Sequence, residues 1–148
     1  MHFMKQCDSR CDQRYTGGLS PSHARSTMSI IESHFARKLT THTLASSCGL
    51  SASHYARAFR RTFGVSVHQC LLQRRIKASK SLLLNTSLTL AVVALRSGFS
   101  DQPSFTRAFH HVEGLPPGRW RKLNPPLNVS KRRSSTEQRG SLPQEHGA

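Results

Sequence analysis

Hydrophobic positions in the middle of the chain recur every three or four residues with polar residues between them, the spacing of one face of an α-helix. The pattern opens at Ser20-Pro21, an N-cap serine followed by proline at the first helical position. Met28, Ile31, Phe35 and Leu39 then predict one buried stripe. A short helix is expected at about 43 to 48, closed by Gly49 as a left-handed residue. Ser51 caps the next helix, whose inner face is Tyr55, Ala58, Phe59, Thr62 and Phe63 and whose outer face is Ser53, Ala56, Arg57 and Arg60. Gly64 ends it. A longer helix over 67–84 follows, roughly 27 Å at about 1.5 Å per residue, with Leu71, Leu72, Ile76, Leu82 and Leu83 as its buried positions.

The pattern then restarts. Val93, Ala94, Gly98 and Phe99 repeat Leu44, Ala45, Gly49 and Leu50, and Phe105, Arg107, Ala108, Phe109 and Gly114 repeat Tyr55, Arg57, Ala58, Phe59 and Gly64 one residue later in register. A short helix, a tight turn that wants glycine, and a second helix with an apolar inner face and donors outside make a helix-turn-helix. The chain predicts two. The competing reading is an ordinary helical bundle with surface arginines.

The residues that carry this repeat also resemble the DNA-binding domain of the AraC/XylS family of bacterial transcription regulators, over roughly residues 22 to 123. The matching set is Leu44-Ala45, Gly49-Leu50-Ser51, Phe59, Gly64, Arg75, Ala78, Leu82-Leu83, Ala94, Gly98-Phe99, Phe105, Arg107, Phe109, Gly114 and the PGRWR run from Pro117 to Arg121. The resemblance implies an all-α fold in which two helix-turn-helix subdomains are joined by the long helix, with both recognition helices on one face of DNA. Three positions depart from the family pattern: Cys70 where an aromatic is common, Val92 where glutamate is common, and Pro103 where a small hydroxyl residue is common. Pro103 in the first turn of the second recognition helix has no side-chain donor for a base.

Composition narrows the partner. With 22 Lys+Arg against 7 Asp+Glu in 148 residues the net charge is +15, which favours a polyanion, nucleic acid first and an anionic membrane surface second. No apolar run has the length of a spanning helix, and the first residues lack a signal-peptide core. A cytoplasmic, nucleoid-associated bacterial protein is therefore expected, with no membrane partner. Residues 1–19 and 124–148 read as a disordered leader and tail around an ordered 20–123. The upstream effector or dimerisation domain of many family members has no counterpart before residue 20. The chain thus reads as a stand-alone regulator, monomeric on DNA, or as a fragment that has lost its sensor.

Candidate chemistry is binding, not catalysis. Glu32, Asp101 and Glu113 stand far apart in the ordered middle, and His68 with Cys70, or His110 with His111, do not share a helical face. No metal-ligand spacing occurs, Cys48 and Cys70 read as small core residues, and no enzyme activity, cofactor or metal is expected.

Arg57 and Arg107, at matching outward positions, are the leading candidates for paired hydrogen bonds to guanine O6 and N7, or for a phosphate grip. Ser53, His54, Gln102, Ser104 and Thr106 are secondary candidates for base or sugar contacts, with capping or simple exposure as the alternative. Arg60, Arg61, Arg119, Arg121 and Lys122 suit phosphates or plain solvation, and Ala56, Pro103 and His110 complete the DNA-facing set. Double-stranded DNA is the expected partner and RNA polymerase a further one. A nonspecific architectural DNA-binding protein, and an interaction module without operator binding, are the alternatives left open.

Overall fold

The computed structural model describes residues 17–125. The leader before residue 17 and the tail after residue 125, both expected to be disordered, lie outside the described residues. Among the described residues seven helices follow in order: α1 Pro21–His34, α2 Thr41–Ser47, α3 Ala52–Phe63, α4 Val67–Asn85, α5 Leu90–Arg96, α6 Gln102–Glu113 and α7 Pro117–Leu123. Among the described residues there is no strand. None of these helices is long and apolar enough to cross a membrane.

Local chemistry sets the helix starts. Ser20, Ser51 and Ser66 each accept a backbone N–H of the first turn, and Thr40 and Thr43 exchange side-chain and backbone bonds as a capping box. That box starts α2 at Thr41, two residues before the expected position.

The first core joins α1 to α4: Ala24 and Ile31 from α1, Leu44 and Ala45 from α2, Tyr55, Phe59 and Phe63 from α3, and Val67 and Leu71 from α4. Phe59 lies between Tyr55 and Phe63, with ring centroids 6.0 and 4.5 Å away. A separate second core gathers Ile76 and Leu83 from α4, Val93 and Ala94 from α5, and Phe105 and Phe109 from α6. Its rings continue through Phe109 to Trp120 of α7 at 5.7 Å. Lys80 of α4 joins this cluster, donating to both Glu113 carboxylate oxygens at 3.1 and 2.9 Å and lying 5.5 Å from the Trp120 ring centre. The long helix therefore gives its first half to one core and its second half to the other.

The expected stripe on α1 needs correction. Phe35 caps the helix instead of continuing it and Leu39 lies beyond it, so the fully buried positions of α1 are Ala24, Thr27 and Ile31, with Met28 and Leu39 packed half-buried against the core. Thr62 is half-buried, and Cys48, Leu72 and Leu82 are half-buried at the edges of the cores they pack against. The ordered boundary also moves upstream: Leu19 is buried in the first core, and its N–H donates to Thr62 Oγ1 at 2.8 Å.

Thr27 is a polar residue that hydrophobic periodicity passes over. Its hydroxyl bonds the Tyr55 hydroxyl at 2.9 Å where both residues are fully buried, and burial pushes the Tyr55 phenol up to about 12. Tyr55→Phe should therefore cost about 1 to 3 kcal/mol in urea unfolding, because the Thr27 hydroxyl keeps only the weak contact with Cys48 Sγ at 4.0 Å. Tyr55→Phe combined with Thr27→Val should recover most of that loss, and a double variant no better than the single would refute the account. The raised phenol also makes the folded state hold its proton more tightly than the unfolded chain. Stability should then fall as pH rises from 10 towards 12, and this alkaline limb should vanish in Tyr55→Phe.

Candidate nucleic-acid interface

Each repeat builds the same unit: α2-turn-α3 in the first, α5-turn-α6 in the second. Burial of Tyr55, Ala58, Phe59 and Phe63 turns the opposite face of α3 outward, and Ser53, His54, Ala56, Arg57, Arg60 and Arg61 are all exposed there. Arg57 is held only loosely, with Nε 3.4 Å from the Ser53 carbonyl oxygen. Arg61 leans toward the chain entering α1, since a Cβ at Gly17 would overlap its guanidinium.

On α6, burial of Phe105 and Phe109 leaves Gln102, Pro103, Arg107, His110 and His111 exposed, with Ser104 and Thr106 half-buried. Pro103 occupies the first turn, where its missing N–H costs no helical bond. Outside the recognition helices Arg119 and Lys122 are exposed. Arg121 is half-buried, with Nε and Nη2 shielded from solvent and without a hydrogen-bond partner.

The two units differ in charge at matching places. Asp101 caps α6 where Ser51 caps α3, and His110-His111 stand where α3 has Arg60-Arg61. The second recognition helix with its cap therefore carries two more carboxylates, Asp101 and the Lys80-paired Glu113, and two fewer permanent cations than the first.

The Asp101 carboxylate accepts the Ser104 N–H at 2.7 Å and the Ser100 hydroxyl at 2.8 Å. These bonds, the backbone one foremost, hold its pKa below the usual carboxylate value, with a smaller contribution from Arg107. A depressed carboxylate contributes stability that is present above the unfolded pKa and lost as pH falls through the folded one. Asp101→Ser should keep the cap while removing this acid limb below about pH 4, and Asp101→Ala should lose both. An unchanged acid limb in Asp101→Ser, read by circular dichroism of α-helix content, would refute the assignment.

Paired helix-turn-helix units with exposed polar and basic second helices define the class: a tandem helix-turn-helix protein of the nucleic-acid-binding type. The family profile described as a helix-turn-helix domain matches residues 44–123, more than half of the chain. The chain belongs to the AraC/XylS family and carries its DNA-binding domain. It is 34% identical over 93 residues to the Msm operon regulatory protein of Streptococcus mutans, an alignment covering 63% of this chain and 34% of that protein. Among the first curated relatives it matches, the chain spans from 14% to 44% of their length.

Among solved structures, it superposes on the C-terminal domain of AraT, a response regulator from Geobacillus stearothermophilus, with a TM-score of 0.67 and 29% identity, covering 71% of this chain and 87% of that one. The DNA-binding domain of AdpA, solved in complex with a target DNA, matches at 22% identity and a TM-score of 0.63, over 77% of this chain and 96% of that one, and shares the fold.

Proposed function

We propose that this chain is a sequence-specific DNA-binding transcription regulator that places α3 and α6 in successive major grooves. The observation that carries the reading is the repeated outward face, with Arg57 and Arg107 at matching exposed positions of two recognition helices. The length of α4 supports it, since 19 residues at about 1.5 Å each give roughly 28 Å, comparable with the 34 Å or so between successive major grooves. A relative of the same fold was solved on its target DNA.

In this reading Arg57 and Arg107 contact guanines, while Ser53, His54, Ala56, Gln102, Pro103, Ser104 and Thr106 lie against bases or sugars. Arg60, Arg61 and His110 face phosphates. The protein acts in the cytoplasm, and this domain taken by itself binds its site as a monomer. Its regulatory sign is activation, with RNA polymerase as the second partner, for which the exposed Leu95 and Leu123 outside the recognition helices offer apolar contacts.

Selection of binding sites from random duplexes tests the central claim. A bipartite motif with half-sites about one turn, 10 to 10.5 base pairs, apart is the expected result. Enrichment without a motif would replace the regulator by an architectural protein, and no enrichment would leave an interaction module. A reporter fused to the selected site then reads the sign, and repression would overturn the activator assignment.

A further inference from the structure

The glycines at matching turns, Gly49 and Gly98, both adopt positive φ, 66° and 89°. Their surroundings differ. A Cβ on Gly49 would meet nothing within 4 Å, whereas one on Gly98 would stand 2.8 Å from Ala36 Cα, 2.8 Å from the Phe35 carbonyl oxygen and 3.0 Å from Arg75 Nε. The turn of the second unit therefore rests on the segment that ends α1, an element of the first unit.

Arg75, midway along α4, reaches the same segment. Its Nε donates to the Phe35 carbonyl at 2.9 Å and its Nη2 to the Arg37 carbonyl at 3.1 Å. Carbonyls at a helix C-terminus lack intrahelical partners, and the helix dipole favours a cation there. Next to it, Arg74 lies 5.9 Å from the Phe35 ring centre and pairs with Glu32 at 3.5 Å. Burial lowers the Arg75 pKa, as expected for a guanidinium drawn out of water into a packed junction.

We infer that Arg75 and Gly98 are positioning residues that lock the second unit against the end of α1 and so fix the half-site spacing the protein accepts. The two apolar cores are separate, so α4 alone would leave its bending and twisting to decide how α6 sits relative to α3. The junction removes that freedom by fastening the α5–α6 turn and the middle of α4 to one short stretch, residues 35–37. A one-base-pair change of spacer moves half-sites by about 3.4 Å along the duplex and rotates them by about 35°, a mismatch that a locked pair of units cannot absorb. The lock stands on the structure alone, and its consequence for spacing rests on the DNA-binding reading.

The test compares the full chain with Gly98→Ala, Arg75→Gln and Gly49→Ala. Gly49→Ala carries left-handed strain of the same kind, at φ 66° against 89°, without the collision, and Arg75→Gln loosens the junction with no strained φ at all. Residual dipolar couplings of each unit in a weakly aligning medium read the lock without DNA. The parent and Gly49→Ala should fit one common alignment tensor, whereas Gly98→Ala and Arg75→Gln should need two. Sites selected from duplexes with variable spacers read the consequence: one preferred spacer for the parent and Gly49→Ala, and comparable enrichment of neighbouring spacers for the two junction variants. Two tensors in the parent, or one in Arg75→Gln, would overturn the lock. Two tensors with an unchanged spacer preference would overturn its role in recognition. A parent that selects no bipartite site would instead overturn the DNA-binding reading, with the tensor comparison still deciding the lock.

Discussion

Phe59→Ala is expected to destabilise the protein by about 3 to 5 kcal/mol, a large fraction of the roughly 5 to 15 kcal/mol by which a domain is stable. The Phe59 ring is fully buried between Tyr55 and Phe63, on the inner face of a helix whose outer face is all polar or small. Truncation removes the ring and leaves a cavity that two aromatic neighbours held by their own packing cannot fill. The loss should appear as a lower urea midpoint, and hydrogen exchange should localise it. Amides of α2 and α3 should lose protection before those of α6, because Phe105 and Phe109 belong to the other core. A loss under about 1 kcal/mol, or equal loss of protection in α3 and α6, would show that the two cores are not the separate units described above.

Much of this architecture was legible in the sequence because repetition and periodicity agree. The positions matched across the repeat include Ala45 with Ala94 and Phe59 with Phe109, and the structure buries all four. The capping residues Ser20 and Ser51 could be read as such because their side chains act within one turn of their own helix. What periodicity could not supply is polar burial and contact between distant segments. Thr27 reads as a surface residue until Tyr55, 28 positions later, is folded against it. Arg75 was visible as part of the family pattern, but its partners are backbone carbonyls of residues 35 and 37, which carry no side-chain signal. Gly98 could be assigned a turn, and Gly49 likewise, yet only the folded chain separates a glycine facing open space from one pressed on another helix. Arg121 is half-buried for the same reason: in α7 it follows Trp120, whose ring packs on Phe109, and two of its guanidinium nitrogens, Nε and Nη2, are shielded from solvent.

The two recognition helices should contribute unequally to binding, with Arg57→Ala costing more than Arg107→Ala. An arginine that makes paired hydrogen bonds to guanine is worth about 1 to 3 kcal/mol, or roughly a 5- to 150-fold change in affinity. Arg57 stands on α3 beside Arg60 and Arg61, with an uncharged Ser51 at the helix cap. Arg107 stands on α6 with the Asp101 carboxylate near enough to be stabilised by it, and with histidines in place of the two arginines. The local field toward a phosphate backbone is therefore weaker at α6, where the Asp101 carboxylate opposes the approach of a phosphate. Arg57→Ala should accordingly fall near the upper end of that range and Arg107→Ala near the lower, measured by fluorescence anisotropy on the selected duplex. Replacing the carboxylate while keeping the cap, Asp101→Ser, should strengthen binding and bring the two arginine effects closer together. Arg60→Ala and Arg61→Ala should instead weaken all duplexes alike and reduce the salt slope by up to about one unit each. Equal losses for Arg57→Ala on cognate and scrambled half-sites would make it a phosphate ligand, and a larger loss for Arg107→Ala would reverse the assigned order of the two units.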